Sequence, residues 1–215
     1  MKVLVFDTET TGLLPKYIST SETYRFPYVV QLSWMVFDMG KNKISELNDY
    51  IIQLPQCVKI TKENANIHGI DTELMREKGK DIVPILKKFK NDVLLSTIIV
   101  AHNIAFDKKI IEVEFYRHGL GCWSDLRKKE YCTMKKGNRL CNLKMKSFYS
   151  NKMISKYPRL SELHNKLFGE VPKNLHNALI DIILCFRCYY KLEHDCDVME
   201  TNREFSALYK LLCRL

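Results

Sequence analysis

Three stretches of the chain carry acids where an acid is out of keeping. In MKVLVFDTETTG the apolar run 3–6 ends in Asp7, and Glu9 follows two positions later. In AHNIAFD, Asp107 comes just after the apolar stretch 97–101. In LHNALID, Asp181 lies in the first turns of an otherwise apolar helix, with His176 five residues before it. Carboxylates packed side by side raise one another's pKa unless a cation neutralises them, and an unpaired buried charge is very costly. Four acids with one histidine make a hard-metal site, whose all-oxygen ligands suit Mg²⁺ or Mn²⁺ rather than Zn²⁺. Such a set can hold two ions roughly 3.5–4 Å apart, the arrangement used for in-line displacement at phosphorus. A neutral histidine can take a proton from the attacking water near pH 7. For the first pair alone, a solvated loop with two unrelated acids is the plainer reading.

The elements that would position these groups follow from local pattern. Residues 3–6 read as a strand buried on both faces. Period-two alternation sends Asp7 and Glu9 the same way, and Thr10, Thr11 and Gly12 supply turn chemistry. The pair then sits at the C-terminal end of a central strand, where open α/β sheets place their ligands. A second buried strand, 97–101, delivers Asp107 to the start of the helix 106–117. There the helix N-terminus helps a carboxylate stay ionised, and Phe106 should pack inward and fix its direction. Five positions are about 140° around a helix, so His176 and Asp181 cannot share a helical face. His176 belongs on the loop or first turn leading in. Asn103 and Asn177 read as caps or turn formers.

Further strands are predicted at 28–38 and 49–54, joined through a hairpin at Gly40-Lys41-Asn42, and near 131–134. Helices are predicted at 61–66, closed by Gly69, then from Asp71-Thr72, at 81–95, 160–168, 178–192 and 203–212. Three strands followed by alternating helices and strands describe an α/β domain with a mixed sheet. The absence of G-x-G-x-x-G and Walker loops argues against a nucleotide-cofactor enzyme.

The 215 residues, 46% of them hydrophobic, suit one domain with appended elements. The opening apolar run is too short for a signal peptide, and the stretch 96–101 is far too short to span a membrane. A soluble intracellular protein is expected, with no preference between cytoplasm and nucleus. The net charge of +9 has one source: the segment 127–156 holds ten Lys or Arg and a single acid, Glu130. Tyr131, Phe148 and Tyr149 are interleaved with it. Such a surface suits a single-stranded nucleic acid, with phosphates on lysines and bases on rings, and it equally suits a solvated lysine-rich loop. Eight cysteines without a secretory signal read as free thiols. Cys185, Cys188, His194 and Cys196 have zinc-like spacing, yet Cys185 and Cys188 fall on the helical stripe of Asp181 and are better explained as core.

FDTETTG, AHNIAFD and HNALID, in this order and at these separations, resemble the three motifs of the DEDD exonuclease family in its histidine-bearing branch. That branch includes the proofreading subunits of bacterial replicative polymerases, ribonuclease T, oligoribonuclease and animal three-prime repair exonucleases. The likeness runs over residues 2–192 and takes in IHGI at 67–70 and YPRLSELHNKLFG at 157–169. Cys132-Thr133 departs from the family's usual Asp-Thr, and the loop 15–27 looks long. The resemblance implies a ribonuclease-H-like α/β fold, a mixed five-stranded sheet flanked by helices. It implies 3′→5′ removal of nucleoside 5′-monophosphates with two Mg²⁺ ions, for which Mn²⁺ can substitute. Asp7 would bridge both metals, Glu9 and Asp181 would complete the first ion's shell, Asp107 would hold the second, and His176 would be the general base. Thr8 and Thr10 would cradle the 3′ end, and His68 and Phe106 would line the terminal nucleotide's pocket. For His68 a helix-ending role with no ligand stands beside this. On this reading 1–195 is the exonuclease domain, with the basic segment at 127–156, and 196–215 is its C-terminal helical extension.

The substrate would be single-stranded or frayed 3′ ends of DNA, since TETTG is closest to proofreading-type sequences; an RNA-trimming exoribonuclease is the alternative. A polymerase partner is left open, and no membrane is involved. A polymerase-accessory nucleic-acid-binding module without catalysis would have lost at least one of the acids, and all four are present with the histidine.

Overall fold

The computed structural model describes residues 1–147, 150–172 and 175–213. Phe148 and Tyr149, two of the three interleaved aromatics, lie outside them. Val3, Leu4, Val5 and Phe6 have no exposed surface, which a strand achieves only with neighbours on both edges and layers on both faces. β1 (Lys2–Thr10) has both. It pairs antiparallel with β2 (Val29–Asp38), which pairs antiparallel with β3 (Lys43–Ile51). Asn42, in the left-handed region at φ 47°, closes the β2–β3 hairpin. β3 begins six residues earlier than its sequence suggested and ends before 52–54. Its first half is polar and mostly exposed, as suits an edge strand protected from stray pairing.

Two short helices follow, α1 (Lys62–His68) and α2 (Thr72–Lys78). Thr61 and Asp71 cap them by accepting from Asn64 N and Leu74 N. Gly69, at φ 75°, ends α1 in the left-handed conformation that a Cβ disfavours. α3 (Ile82–Leu95) leads into β4 (Ile98–Ala101), and α4 (Ile104–Arg117) into β5 (Lys129–Cys132). β4 lies parallel to both β1 and β5. The sheet order is β3-β2-β1-β4-β5, so β1 is central and the sheet is mixed.

Residues 133–134, expected to continue the last strand, instead open a helix, α5 (Thr133–Cys141). The antiparallel pair β6 (Lys144–Lys146) and β7 (Met153–Ser155) then forms a small separate ribbon. Neither was legible in the sequence, because lysine-rich segments give no apolar period. α6 (Leu160–Phe168), α7 (Ala178–His194), α8 (Val198–Thr201) and α9 (Arg203–Leu212) complete the chain.

The sheet separates two cores. Leu4 and Phe6 pack with Leu86, Phe89, Ile110 and Phe115 from α3 and α4. Val3 and Val5 pack with Ile182, Cys185, Phe186 and Tyr189 from α7 and with Phe205 and Tyr209 from α9. Asp7 and Glu9 continue the second row, so they emerge on the α7 face. The far end of α7 is fastened by Arg187. Its guanidinium donates to both Asp197 oxygens and to Glu170 Oε2 at 2.8 Å, and lies 3.9 Å from the Phe168 ring centre. Among the described residues no helix is long and apolar enough to cross a membrane.

Candidate active site

Asp7 and Glu9 reach the site from the last residues of β1. The β1–β2 register slips just after Glu9, so regular pairing ends there. Between the two acids, Thr8 faces the other way. Its backbone N–H and hydroxyl both donate to Asp107 Oδ1, at 3.1 and 2.8 Å, which locks the first turn of α4 to the strand end. Asn103 precedes that turn at φ 66° with no side-chain capping bond; it serves the turn and does not cap. Asn177 does cap, accepting from Leu179 N and Ile180 N at the start of α7. One turn later Asp181 points back toward β1. His176 sits before the helix, exposed and left-handed at φ 66°, and its N–H donates to Asp181 Oδ2 at 3.1 Å.

The four acids and His176 therefore come together. Ligand atoms of Glu9, His176 and Asp181 lie within 4.8 Å of one another, the spread of a single ion's shell. Burial raises Glu9 to about 8, helped by the charges of Asp181 and Asp107. Burial also brings Asp107 to about 7 against the pull of the two Thr8 hydrogen bonds. The favourable effect expected from the helix N-terminus does not prevail over it. Asp181 is likewise raised to about 7, by burial first and by Asp107, although the His176 N–H acts in the opposite direction. Asp7 lies well above the ordinary range, through burial and then its three acidic neighbours. Asp181 Oδ1 is buried with no hydrogen-bond partner, and a buried acceptor in that state calls for a cation or a proton. The donor set is oxygen-rich and strained by its own charge, so it fits hard divalent ions.

Two cavities flank the acids. One, of about 330 Å³, is lined by Thr8, Glu9, Thr10, His68 and Phe106 together with Asn64. Thr10 holds the turn there by donating to the Gly12 carbonyl. His68 is buried; its Nδ1 accepts from Ile70 N, and its Nε2 has no partner. The other, of about 450 Å³, runs from Asp7, Asp181 and His176 past His102 and Met134 to the wall 157–161. Sequence reasoning included that wall in the 157–169 match but gave it no role, and it assigned none to two fixing residues. His102 Nδ1 meets Thr133 Oγ1 at 2.9 Å and Nε2 meets the Pro158 carbonyl at 3.0 Å, tying β4 to α5 and to the wall. Gln31, opposite Glu9 in the sheet, donates to Asp49 and accepts from Ala178 N, so it anchors the start of α7. His102 falls within AHNIAFD, yet nothing local gives its role or that of Gln31, because their partners are distant in the chain.

Among the described residues, Cys185, Cys188, His194 and Cys196 do not form a metal-sized cluster. Cys185 and Cys188 are buried in the α7 core, and the eight cysteines are free.

A family model described as an exonuclease of the RNase T type matches residues 4–189. The chain belongs to the exonuclease family. Solved structures with this exonuclease fold include Escherichia coli exonuclease I in complex with a dT13 oligonucleotide (TM-score 0.67, 17% identity). They also include the same enzyme with a dA16 oligonucleotide and in a zinc-bound complex with single-stranded DNA (TM-score 0.66 and 16% identity for each). Each match covers 97% of this chain and 43% of that one, so the chain spans less than half the length of these exonucleases. No curated protein matches the sequence. The ribonuclease-H-like α/β architecture expected from the three motifs is the architecture found.

Proposed function

We propose that this member of the exonuclease family is a divalent-metal-dependent 3′→5′ exonuclease of the histidine-bearing DEDD branch. It acts on single-stranded or frayed DNA ends and releases nucleoside 5′-monophosphates. The observation that carries the reading is the meeting of Asp7, Glu9, Asp107 and Asp181 around an unpartnered buried oxygen, with an exposed histidine at the rim. Two Mg²⁺ ions, replaceable by Mn²⁺ and held by these four carboxylates, would polarise the scissile phosphate and stabilise charge on the attacking and leaving oxygens.

The chain's own groups do the rest. Asp7, Glu9, Asp107 and Asp181 would hold the ions, with Glu9 and Asp181 close enough to serve one of them. Thr8 fixes Asp107, and Gln31 with Asn177 fixes the α7 terminus that carries Asp181. The cavity beside Thr10 and Phe106 takes the terminal nucleotide, with His68 in its lining. His176, exposed and outside the helix, accepts the proton of the attacking water and can pass it to bulk solvent. Residues 1–195 form the exonuclease domain on this reading, and 196–215 extend it.

The test is a gel assay on matched 5′-labelled single-stranded DNA and RNA, with Mg²⁺, with Mn²⁺ and with chelator, beside Asp7→Ala and His176→Ala. A metal-dependent ladder that shortens from the 3′ end, lost in Asp7→Ala and reduced by about 10²–10⁴ in His176→Ala, supports the proposal. Faster cleavage of RNA would turn it to the exoribonuclease. No degradation of either polymer by folded protein would refute it in favour of a binding module.

A further inference from the structure

Of the chain's +9 excess, +7 is gathered on one appendage, residues 133–156. α5 turns Lys135 and Arg139 outward, on the side opposite buried Thr133 and Gly137, while Lys136, also exposed, lies over the Tyr131 ring. The β6–β7 ribbon adds Lys144, Lys146 and Lys152, all exposed. Among the described residues Lys135, Arg139, Lys144, Lys146 and Lys152 make no ion pair with an acid, so this charge is uncompensated at close range. Apolar side chains are exposed among the cations: Met153 at 62%, Ile154 at 43% and Tyr157 at 53%. A two-stranded ribbon with both faces open to water is marginal by itself. Here it is seated on α5, where Asn138 Nδ2 donates to Ser155 Oγ at 3.5 Å.

The appendage is also tied to the catalytic sheet at its two ends. His102, directly after β4, holds Thr133 at the start of α5 and the Pro158 carbonyl beyond β7. Gly137 packs against Leu163 of α6 so closely that a Cβ there would lie 2.5 Å from Leu163 Cδ1. The larger cavity beside the acids opens along this joint, with Met134 of α5 and Tyr157 in its lining. One cavity lies on the Thr8–Phe106 side of the acids and the other on the Tyr157 side.

We propose that the 450 Å³ groove and the α5–β6–β7 appendage form the path of the single strand upstream of the scissile phosphate. The nucleotide next to the cut lies against Tyr157 and Met134, and the following phosphates run over Arg139, Lys144, Lys146 and Lys152. This rests on the exonuclease reading, with the 3′-terminal nucleotide in the opposite cavity. Cations take phosphates, and the exposed apolar and aromatic side chains take base faces without regard to sequence. The appendage then extends the grip on a long strand and leaves a strand too short to reach it unaffected.

The experiment measures binding of fluorescein-labelled dT20 and dT3 in chelator, where no turnover occurs, across a salt titration. It compares the natural chain with a fourfold variant, Arg139→Gln, Lys144→Gln, Lys146→Gln and Lys152→Gln, and with a charge-keeping set in which the three lysines become arginine. At roughly 0.7 of salt slope per single-strand phosphate contact, the Gln variant should lower the slope for dT20 by about 2 to 3. Its dT20 affinity at 0.1 M salt should fall by about tenfold or more, its dT3 affinity should be unchanged, and the arginine set should bind as the natural chain does. Unchanged dT20 affinity and slope, an equal loss for dT3, or a loss seen with duplex and not with single strands would overturn the path. The two readings fail separately. A chain that binds as expected but cuts nothing loses the activity and keeps the path; one that cuts normally with length-independent binding loses the path and keeps the activity.

Discussion

Replacing Asp181 by Asn should stabilise the metal-free protein while removing its response to metal. Asp181 is 9% exposed, and its carboxyl is raised from 3.8 to about 7, by burial first and then by Asp107. A raised acid keeps its proton in the folded state over a range in which the unfolded chain has released it. The folded state then binds more protons, and stability falls as pH rises from about 4 to about 7. Three units at about 1.36 kcal/mol each set a ceiling of about 4 kcal/mol on the cost of ionising this group at pH 8. An Asn of the same shape carries no such cost, still accepts from His176 N–H through its oxygen, and turns a donor toward the remaining acids. If half the ceiling is realised, the Tm of metal-free Asp181→Asn at pH 8 exceeds that of the natural chain by roughly 4–8 °C. The gain should be smaller at pH 5, where the natural carboxyl is mostly protonated. Mg²⁺ or Mn²⁺ should raise the Tm of the natural chain more at pH 8 than at pH 5, and that of the variant much less. Thermal unfolding at both pH values, in chelator and in 10 mM-scale metal, measures all of this. A variant less stable than the natural chain at pH 8 without metal, or equal metal stabilisation of both, would refute the reasoning.

Two further outcomes follow from the scaffold. Arg187→Ala strands Asp197 and Glu170 beside the α7 core and removes the cation from the Phe168 and Tyr209 rings, so urea unfolding should show a loss of about 3–5 kcal/mol. Gln31→Leu leaves Ala178 N–H and Asp49 without their shared partner and loosens the turn that presents His176 and Asp181. It should cost about 1–3 kcal/mol in urea unfolding and lower kcat on a short oligonucleotide about tenfold with little change in KM; an unaltered kcat would assign Gln31 to stability alone.

The chemistry of the candidate site was written in the sequence because it lies in local patterns. Val3 to Phe6 announce a buried strand, and its period of two carries Asp7 and Glu9 to one face without any knowledge of neighbours. The helical stripe through Asp181, Cys185 and Cys188 placed that acid with the core and argued against zinc, and the angle between His176 and Asp181 put the histidine outside the helix. The helix start at Asp71 and the cap at Asn177 were similarly local. Other features depended on distant partners. Asn103 has the residue type of a cap but takes a left-handed turn, because the chain must swing from β4 into α4 to bring Asp107 beside Thr8. The first half of β3 is polar since an edge strand needs neither face fully covered, so its pattern concealed it. α5 is held in place by Gly137 against Leu163 and by His102 between Thr133 and Pro158, contacts spanning tens of residues. Composition located the positive charge in 127–156; only the tertiary structure showed that this segment sends Met134 into the wall of the cavity that reaches the acids. A sequence says which groups can titrate, ligate or bury themselves, but the burial and then the neighbouring charges that raise Glu9 to about 8 exist only once the strand end and two helix starts converge.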